Sequence, residues 1–326
     1  MKHAFVTGGS GFVGRPLIEK LVARGVMITA LARSDAAARM LAGLGANPCR
    51  GGLDDVAAMT KGMRGCDTVF HVAGHLSEWD PYKVFHDANV IGTRNVVQAA
   101  SAAGIATLAA VGAAAVVMAR PQPMRGISED LPLQRPSWAP YIATKAEAEK
   151  IVREANRDGF KTVVVRPPFI WGAGMPMLEE MIAAVKSGQF ALPDGGRQTI
   201  STSHVGNVVE CLILAAERGR GGQAYFFADG DTSTLKDFST ALLATRGMPP
   251  VKRTAPFALA WRMAGLMEGA WHLFRIRSKP PMTRQTLRMI GQDFTVDISK
   301  ARRDLGYAPV ISRAEGLARM GSPVPL

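Results

Sequence analysis

The sequence predicts an α/β fold, a doubly wound parallel sheet with a smaller C-terminal α/β lobe. Short β-rich apolar runs alternate with helical stretches through the first half, and a glycine turn joins the first run to the first helix. Of the 326 residues, 47% are hydrophobic and 20% charged, enough to bury a sizeable core, which excludes a disordered or collagen-like chain.

The first run, AFVTG, leads through the glycine turn into PLIEKLVARG. VMITALA precedes the helical SDAAARMLAGLG, and CDTVFHVA precedes a helix around DANVIGTRNVVQAAS. Leu108 to Ala119 is apolar but well short of the ~20 residues a membrane span needs, and reads as a buried strand with its exit. YIATKAEAEKIVREAN and KTVVVRPP complete the alternation. Such strands between helices mean that both faces of the sheet are covered. Beyond Arg166 the pattern is irregular, with short strands at RQTISTS and QAYFFA and helices at VGNVVECLILAAERG and TLKDFSTALLATRG. Residues 1–166 are therefore expected to form the sheet domain and 167–326 a smaller lobe, interleaved with the sheet across a soft boundary. Pro256 to Phe274, apolar but broken by Arg262, Glu268 and His272, reads as an amphipathic helix.

Cys49, Cys66 and Cys211 are too few and too scattered for a disulfide scaffold or a zinc cluster, which points to a reducing compartment. The N-terminus lacks a signal-peptide pattern, so a cytoplasmic location is expected. The formal charge of +12 is uneven: residues 246–326 carry 14 basic and 5 acidic side chains, net +9, leaving +3 for the first 245. Nucleic acid is not the expected partner, because basic clusters interleaved with stacking aromatics are missing. An anionic substrate, an anionic membrane face and ordinary solubility charge all stay open.

TGGSGFVG spaces Gly8, Gly11 and Gly14 three apart between strand and helix. Gly8 permits the tight turn, Gly11 lets a pyrophosphate approach the backbone, and Gly14 lets helix and strand pack closely. The Phe12 and Val13 amides then face phosphate from a helix N-terminus, where the helix dipole adds attraction. This is the dinucleotide turn of a Rossmann sheet. An acid ending the second strand would bind ribose hydroxyls, but VMITALARSD has Ala32 there, followed by Arg33 and Ser34. A guanidinium suits a 2′-phosphate, so NADP(H) is favoured over NAD(H), with a merely solvated Arg33 as the alternative.

YIATK places Tyr141 and Lys145 four apart on one helix face. A phenol near pKa ~10 is a poor acid or base at neutral pH, and a cation beside it favours the phenolate. Tyr141 is thus a candidate proton donor in carbonyl reduction, or acceptor in alcohol oxidation, with Lys145 also holding a nicotinamide ribose. An ordinary surface pair is the alternative. It is disfavoured because the pair follows the fifth strand, on the side where a doubly wound sheet keeps its ligand.

On these residues the chain resembles the extended short-chain dehydrogenase/reductase superfamily, of NAD(P)-dependent epimerase/dehydratase type. TGGSGFVG, CDTVFHVAG, DANVIGTRNVVQAA, YIATK, RPPFIWG and STSHVGNVVECLILAAE carry the likeness over almost the whole chain. PMTRQTLRMIGQDFTVDISKARRDLGYAP is most similar to bacterial 3β-hydroxysteroid dehydrogenase and dihydroflavonol-reductase-like proteins. The resemblance implies cofactor contacts at Leu53, Ala73 and Gly74, with Pro167 and Pro168 lining the nicotinamide. It also implies a serine or threonine hydroxyl where this chain has Ala113, and an acid where it has Gly52. Ser137, Thr144, a water or the substrate would have to replace the first, and Asp54 or backbone the second.

The resemblance implies an oxidoreductase that interconverts a ketone and a secondary alcohol on an apolar molecule, steroid-like or another ring or acyl compound. A nucleotide-sugar epimerase or dehydratase with retained cofactor, and a cofactor-binding sensor that has lost catalysis, are the alternatives. Asn89 reads as a buttress, and His204 as a cap or packing residue. His71 and His75 lack the helical geometry of a metal pair, so no metal is expected. Methionines and tryptophans between Trp261 and Met289 suit either an apolar substrate wall or core packing. Peripheral membrane contact through the basic C-terminal segment and a homodimer complete the expectations.

Overall fold

The computed structural model describes residues 1–276 and 278–321; Arg277 and residues 322–326 of the basic segment lie outside the described residues. The first half runs β1 (His3–Thr7), α1 (Gly14–Ala23), β2 (Met27–Ala32), α2 (Asp35–Gly43), β3 (Asn47–Arg50), α3 (Val56–Met63) and β4 (Thr68–His71). It continues with α4 (Tyr82–Phe85), α5 (Gly92–Ala102), β5 (Thr107–Val111), β6 (Met124–Ile127), α6 (Pro140–Glu154) and β7 (Lys161–Arg166). The second half adds β8 (Phe169–Trp171), α7 (Pro176–Lys186), β9 (Leu192–Pro193), β10 (Thr199–Ile200), β11 (Thr202–His204), α8 (Val205–Arg218) and β12 (Gln223–Phe226). It closes with β13 (Ser233–Thr234), α9 (Leu235–Ala244), β14 (Thr254–Ala255), α10 (Phe257–Leu273), α11 (Arg284–Ile290), β15 (Phe294–Val296), α12 (Ser299–Leu305) and α13 (Arg313–Gly321).

Seven strands form the central sheet in the order β3, β2, β1, β4, β5, β7, β12, every pair parallel. Leu17, Ile18 and Leu21 of α1, Leu41 of α2 and Val208 and Leu212 of α8 cover one face. Met59 and Met63 of α3, Val96 and Ala99 of α5 and Val152 of α6 cover the other. The winding reverses between β1 and β4, so a crevice opens at the carboxyl ends of these strands.

Several elements differ from the sequence pattern. The alternation passes over β3, because an edge strand with mostly exposed residues needs no apolar run. RQTISTS is not one strand: β10 joins β13 and β15, whereas β11 pairs with β8. QAYFFA leaves the smaller lobe and returns to the main sheet as β12, its Ala224, Tyr225 and Phe226 buried. The central helix starts as α4, widens into a π turn over His86–Ile91 and continues as α5. The strand expected past Leu108 ends at Val111, and Ala114–Val117 form a 3-10 turn.

The amphipathic expectation for α10 fails on its outer side. Only Ala260, Ala264 and Glu268 are buried, while Leu259, Met263, Leu266 and Leu273 face outward beside Arg262 and His272. Leu266 and Leu273 are each 76% exposed, so the polar residues do not make a polar face. Among the described residues no helix is long and apolar enough to cross a membrane.

An ion pair with both side chains fully buried joins α6 to β7. Arg166 Nη2 donates to Glu149 Oε1 at 2.6 Å and Nε to Oε2 at 2.9 Å, and the guanidinium stacks on Phe226. Removing one partner of such a pair strands the other charge and costs about 3–5 kcal/mol. Glu149→Ala is expected to lower the unfolding free energy by that much, read as a lower urea midpoint at an unchanged slope. A loss below about 1 kcal/mol, the range of an exposed pair, refutes this role.

Candidate active site

At the crevice, Gly8 has φ +70° and a Cβ there would stand 2.6 Å from Ala73 N. A Cβ at Gly14 would stand 2.1 Å from Gly8 O, so α1 approaches β1 only because this residue is glycine. At Gly11 a Cβ would meet only Gly8 O, at 3.2 Å, leaving its other side open. Among the described residues no acceptor takes the Phe12 or Val13 amide, and no side chain caps α1. Open space, free donors and a helix N-terminus suit a pyrophosphate.

Arg33 is exposed at the end of β2, and Ser34 caps α2 by accepting the Ala37 amide. Leu53 is pinned by its carbonyl, which accepts Asn95 Nδ2, and its side chain packs against Gly92. A Cβ at Gly52 would lie 2.2 Å from Asp54 Oδ1: the carboxylate of Asp54 occupies the space a side chain at 52 would take. Ala73 N donates to Thr7 Oγ1. The Pro167 carbonyl accepts the Ala114 amide, fixing the turn that continues into Pro168.

Tyr141 and Lys145 lie on α6, which begins with Pro140 at its first position, where no amide is missed. Gln285 Oε1 accepts the next amide, that of Tyr141, at 2.9 Å, and Gln285 Nε2 donates to Ser77 O. Lys145 Nζ donates to Val111 O at 2.7 Å and lies 3.7 Å from where a Gly74 Cβ would be. Burial pushes the ammonium down to about 8, against the opposing charge of Glu149. Burial pushes the Tyr141 phenol up to about 12. Burial thus favours the neutral phenol, the form that donates a proton, against the pull towards phenolate that a neighbouring cation exerts.

Ala113 is buried in the apolar cluster against which Tyr141 packs, so no hydroxyl stands at that place. Thr144 is no replacement: its hydroxyl donates to Pro140 O and accepts from Asn89 Nδ2. Ser137 is exposed. Asn89 is a buttress, its amide clamping both backbone polar groups of His75 to α6. His204 caps α8 through Gly206 N. Among the described residues no cluster of His, Cys, Asp and Glu could hold a metal.

Glu149, Gln285, Arg288 and Asp229 escape the sequence reading. Buried Asp229 accepts from Trp171 Nε1, Thr202 Oγ1, His204 N and Asn207 Nδ2, tying β8, β11 and α8 to the end of β12. Only Glu149 leaves a sequence signal, an acid four residues beyond Lys145 on a helix.

His71 closes a proton-ordered chain beneath the crevice. Thr93 Oγ1 donates to Asn89 O, so it accepts from His71 Nε2; His71 Nδ1 then accepts from Thr7 Oγ1. Burial, helped by the Lys145 charge, pushes the imidazole down to about 3. The unfolded chain binds this proton near pH 6.5 and the folded chain does not, so folding loses stability as pH falls from 6.5 towards 3. The stability gap between wild type and His71→Asn, measured by urea unfolding, should narrow from pH 7 to pH 4. A constant gap contradicts the assignment.

Residues 5–259 match the model of the 3-beta hydroxysteroid dehydrogenase/isomerase family. The 4-hydroxy-2-methyl-3-oxo-4-farnesyl-3,4-dihydroquinoline-1-oxide ketoreductase of Stigmatella aurantiaca is 43% identical, over 97% of this chain and 94% of that protein. The 2-alkyl-3-oxoalkanoate reductase of Stenotrophomonas maltophilia is 35% identical over 97% of each. Among solved structures, gox2253 has a TM-score of 0.77 at 27% identity, covering 98% of both chains. The dTDP-glucose 4,6-dehydratase of Streptomyces venezuelae with NAD bound has a TM-score of 0.74 at 22% identity, covering 98% of this chain and 95% of that one, and shares the fold.

Proposed function

The chain belongs to the 3-beta hydroxysteroid dehydrogenase/isomerase family, within the extended short-chain dehydrogenases/reductases, and from that premise we propose an NADP(H)-dependent ketoreductase acting on an apolar ring or acyl ketone. The observation that carries the reading is Tyr141, a phenol kept neutral by burial and sharing a helix stripe with Lys145 at the carboxyl end of the sheet. Relatives named as reductases of a 3-oxo dihydroquinoline-1-oxide and of 2-alkyl-3-oxoalkanoates support an oxo group on an apolar frame. The sugar-nucleotide dehydratase shares the fold at lower identity, so its chemistry has less support here.

A bound nicotinamide supplies the hydride. The Tyr141 hydroxyl gives its proton to the substrate oxygen as the carbonyl carbon takes that hydride, so ketone, hydride and proton become a secondary alcohol. Lys145 stabilises the phenolate left behind and donates to a ribose hydroxyl. The open edge at Gly11 with the Phe12 and Val13 amides would hold pyrophosphate, and Arg33 would meet the 2′-phosphate.

In a screen of NADPH oxidation over apolar ketones, Tyr141→Phe should lower kcat about 10²–10⁴-fold. Because Lys145 is charged only below its pKa of about 8, wild-type kcat should fall as pH rises through 8. Turnover untouched by Tyr141→Phe defeats the catalytic assignment. For the cofactor, Arg33→Ala should raise the NADPH KM roughly 10- to 100-fold, the loss of a charged hydrogen bond, and leave the NADH KM nearly still. A wild type that prefers NADH defeats the NADP reading.

A further inference from the structure

Among the described residues two arginines are fully buried, and only one of them has a counter-ion. Arg166 is neutralised by Glu149, whereas no carboxylate among the described residues pairs with Arg288. Arg288 Nη2 donates to Met124 Sδ at 3.0 Å, and its Nε and Nη1 have no partner. A thioether is a weak acceptor, so a full positive charge stands in an apolar wall with most of its donor capacity unspent.

The place of this cation gives it a use. Arg288 lies one turn beyond Gln285 on the same face of α11, and Gln285 holds the Tyr141 amide. Met124 belongs to the apolar cluster that contains Ala113 and Ile142, and both Tyr141 and Met289 pack against that cluster. The guanidinium thus bonds a member of the cluster that packs on Tyr141, from the helix that holds the Tyr141 amide.

We propose that Arg288 binds an oxyanion of the substrate, so that this enzyme takes an apolar ketone carrying one carboxylate or equivalent oxygen anion. An unpaired cation in an apolar wall is completed by a ligand that brings the opposite charge and accepts hydrogen bonds. Burial pushes Arg288 down only to about 10, so it keeps its charge at neutral pH. Gln198 Oε1 and Gln292 Oε1 are also buried without partners, and a water bridge from them to Arg288 is the competing structural account.

The inference rests on the ketoreductase reading, and two measurements separate them. The first compares kcat/KM for 3-oxodecanoate and its methyl ester in wild type, Arg288→Met and Arg288→Lys. Wild type should favour the acid at least tenfold, Arg288→Met should lose that preference mainly through KM, and Arg288→Lys should restore part of it. The second measures binding of decanoate and of decanol, neither reducible, in the presence of NADP⁺. Decanoate affinity should fall about 10- to 100-fold in Arg288→Met, with decanol affinity changing less than threefold. Equal decanoate binding in wild type and Arg288→Met, or none in either, overturns the proposal. So does a lowered melting temperature of Arg288→Met with no change in preference, the signature of the water-bridged account. Retained decanoate selectivity with no reduction of either ketone overturns the ketoreductase reading and leaves Arg288 as an oxyanion site.

Discussion

The buried pair between Glu149 and Arg166 is the constraint on which the site depends. Tyr141, Lys145 and Glu149 follow one another at four-residue steps, so locking Glu149 to β7 sets the depth and rotation of the stripe that carries the proton donor. β7 also steers the exit of β5. Gly112 N donates to Val165 O, and a Cβ at Gly112 would lie 2.7 Å from Val164 Cγ1, so only glycine lets the chain lie this close. Ala114 N then bonds to Pro167 O, and Ala113 is delivered into the cluster beside Tyr141. One strand end therefore places both the helix that bears the acid and the segment that faces it.

The parts legible in the sequence are those written in contiguous residues. The glycine turn is local geometry, and its steric demands at Gly8 and Gly14 are met within a strand, a turn and a helix. Alternating apolar runs reveal five of the seven sheet strands; β3 is a polar edge, and β12, legible as a strand, sits far along the chain among residues that otherwise form the smaller lobe. Gln285, Asp229 and Arg288 are polar residues in the irregular second half, and what makes each informative is a partner 22 to 208 residues away, or the lack of a counter-ion. No period or spacing encodes that. The same holds for Tyr141: the sequence names the residue, whereas the direction of its pKa follows from how deeply the fold desolvates it.

The C-terminal excess of charge also changes meaning in three dimensions. Arg284 is spent on Glu268, Lys279 on Glu78, Arg319 on Glu315, and Lys300 on Gln223 and the Ala224 carbonyl. Arg218 of α8 and Arg313 likewise bond backbone carbonyls of other elements. Most of these cations are fasteners between segments rather than one continuous field. Arg288 stands apart from them because it is buried and, among the described residues, has no counter-ion.

One departure from the superfamily pattern and one buried unpaired cation then bear on one physical problem, how the substrate is oriented for proton transfer. With alanine at 113, the hydroxyl that would help hold the substrate oxygen is gone, and loss of one such donor is worth about 3 kcal/mol of transition-state stabilisation. Thr144 cannot supply it, because Pro140 and Asn89 already engage its hydroxyl. Among the replacements open to this chain, a hold elsewhere on the substrate is one that its own side chains can supply. A charged donor acting on a remote group is suited to that task, since binding energy from a non-reacting part of a substrate can be spent on positioning the reacting one. If Arg288 binds the proposed oxyanion, Ala113 and Arg288 are complementary: the small apolar side chain would leave room beside the carbonyl, and the anchored oxyanion would fix the substrate's register against Tyr141.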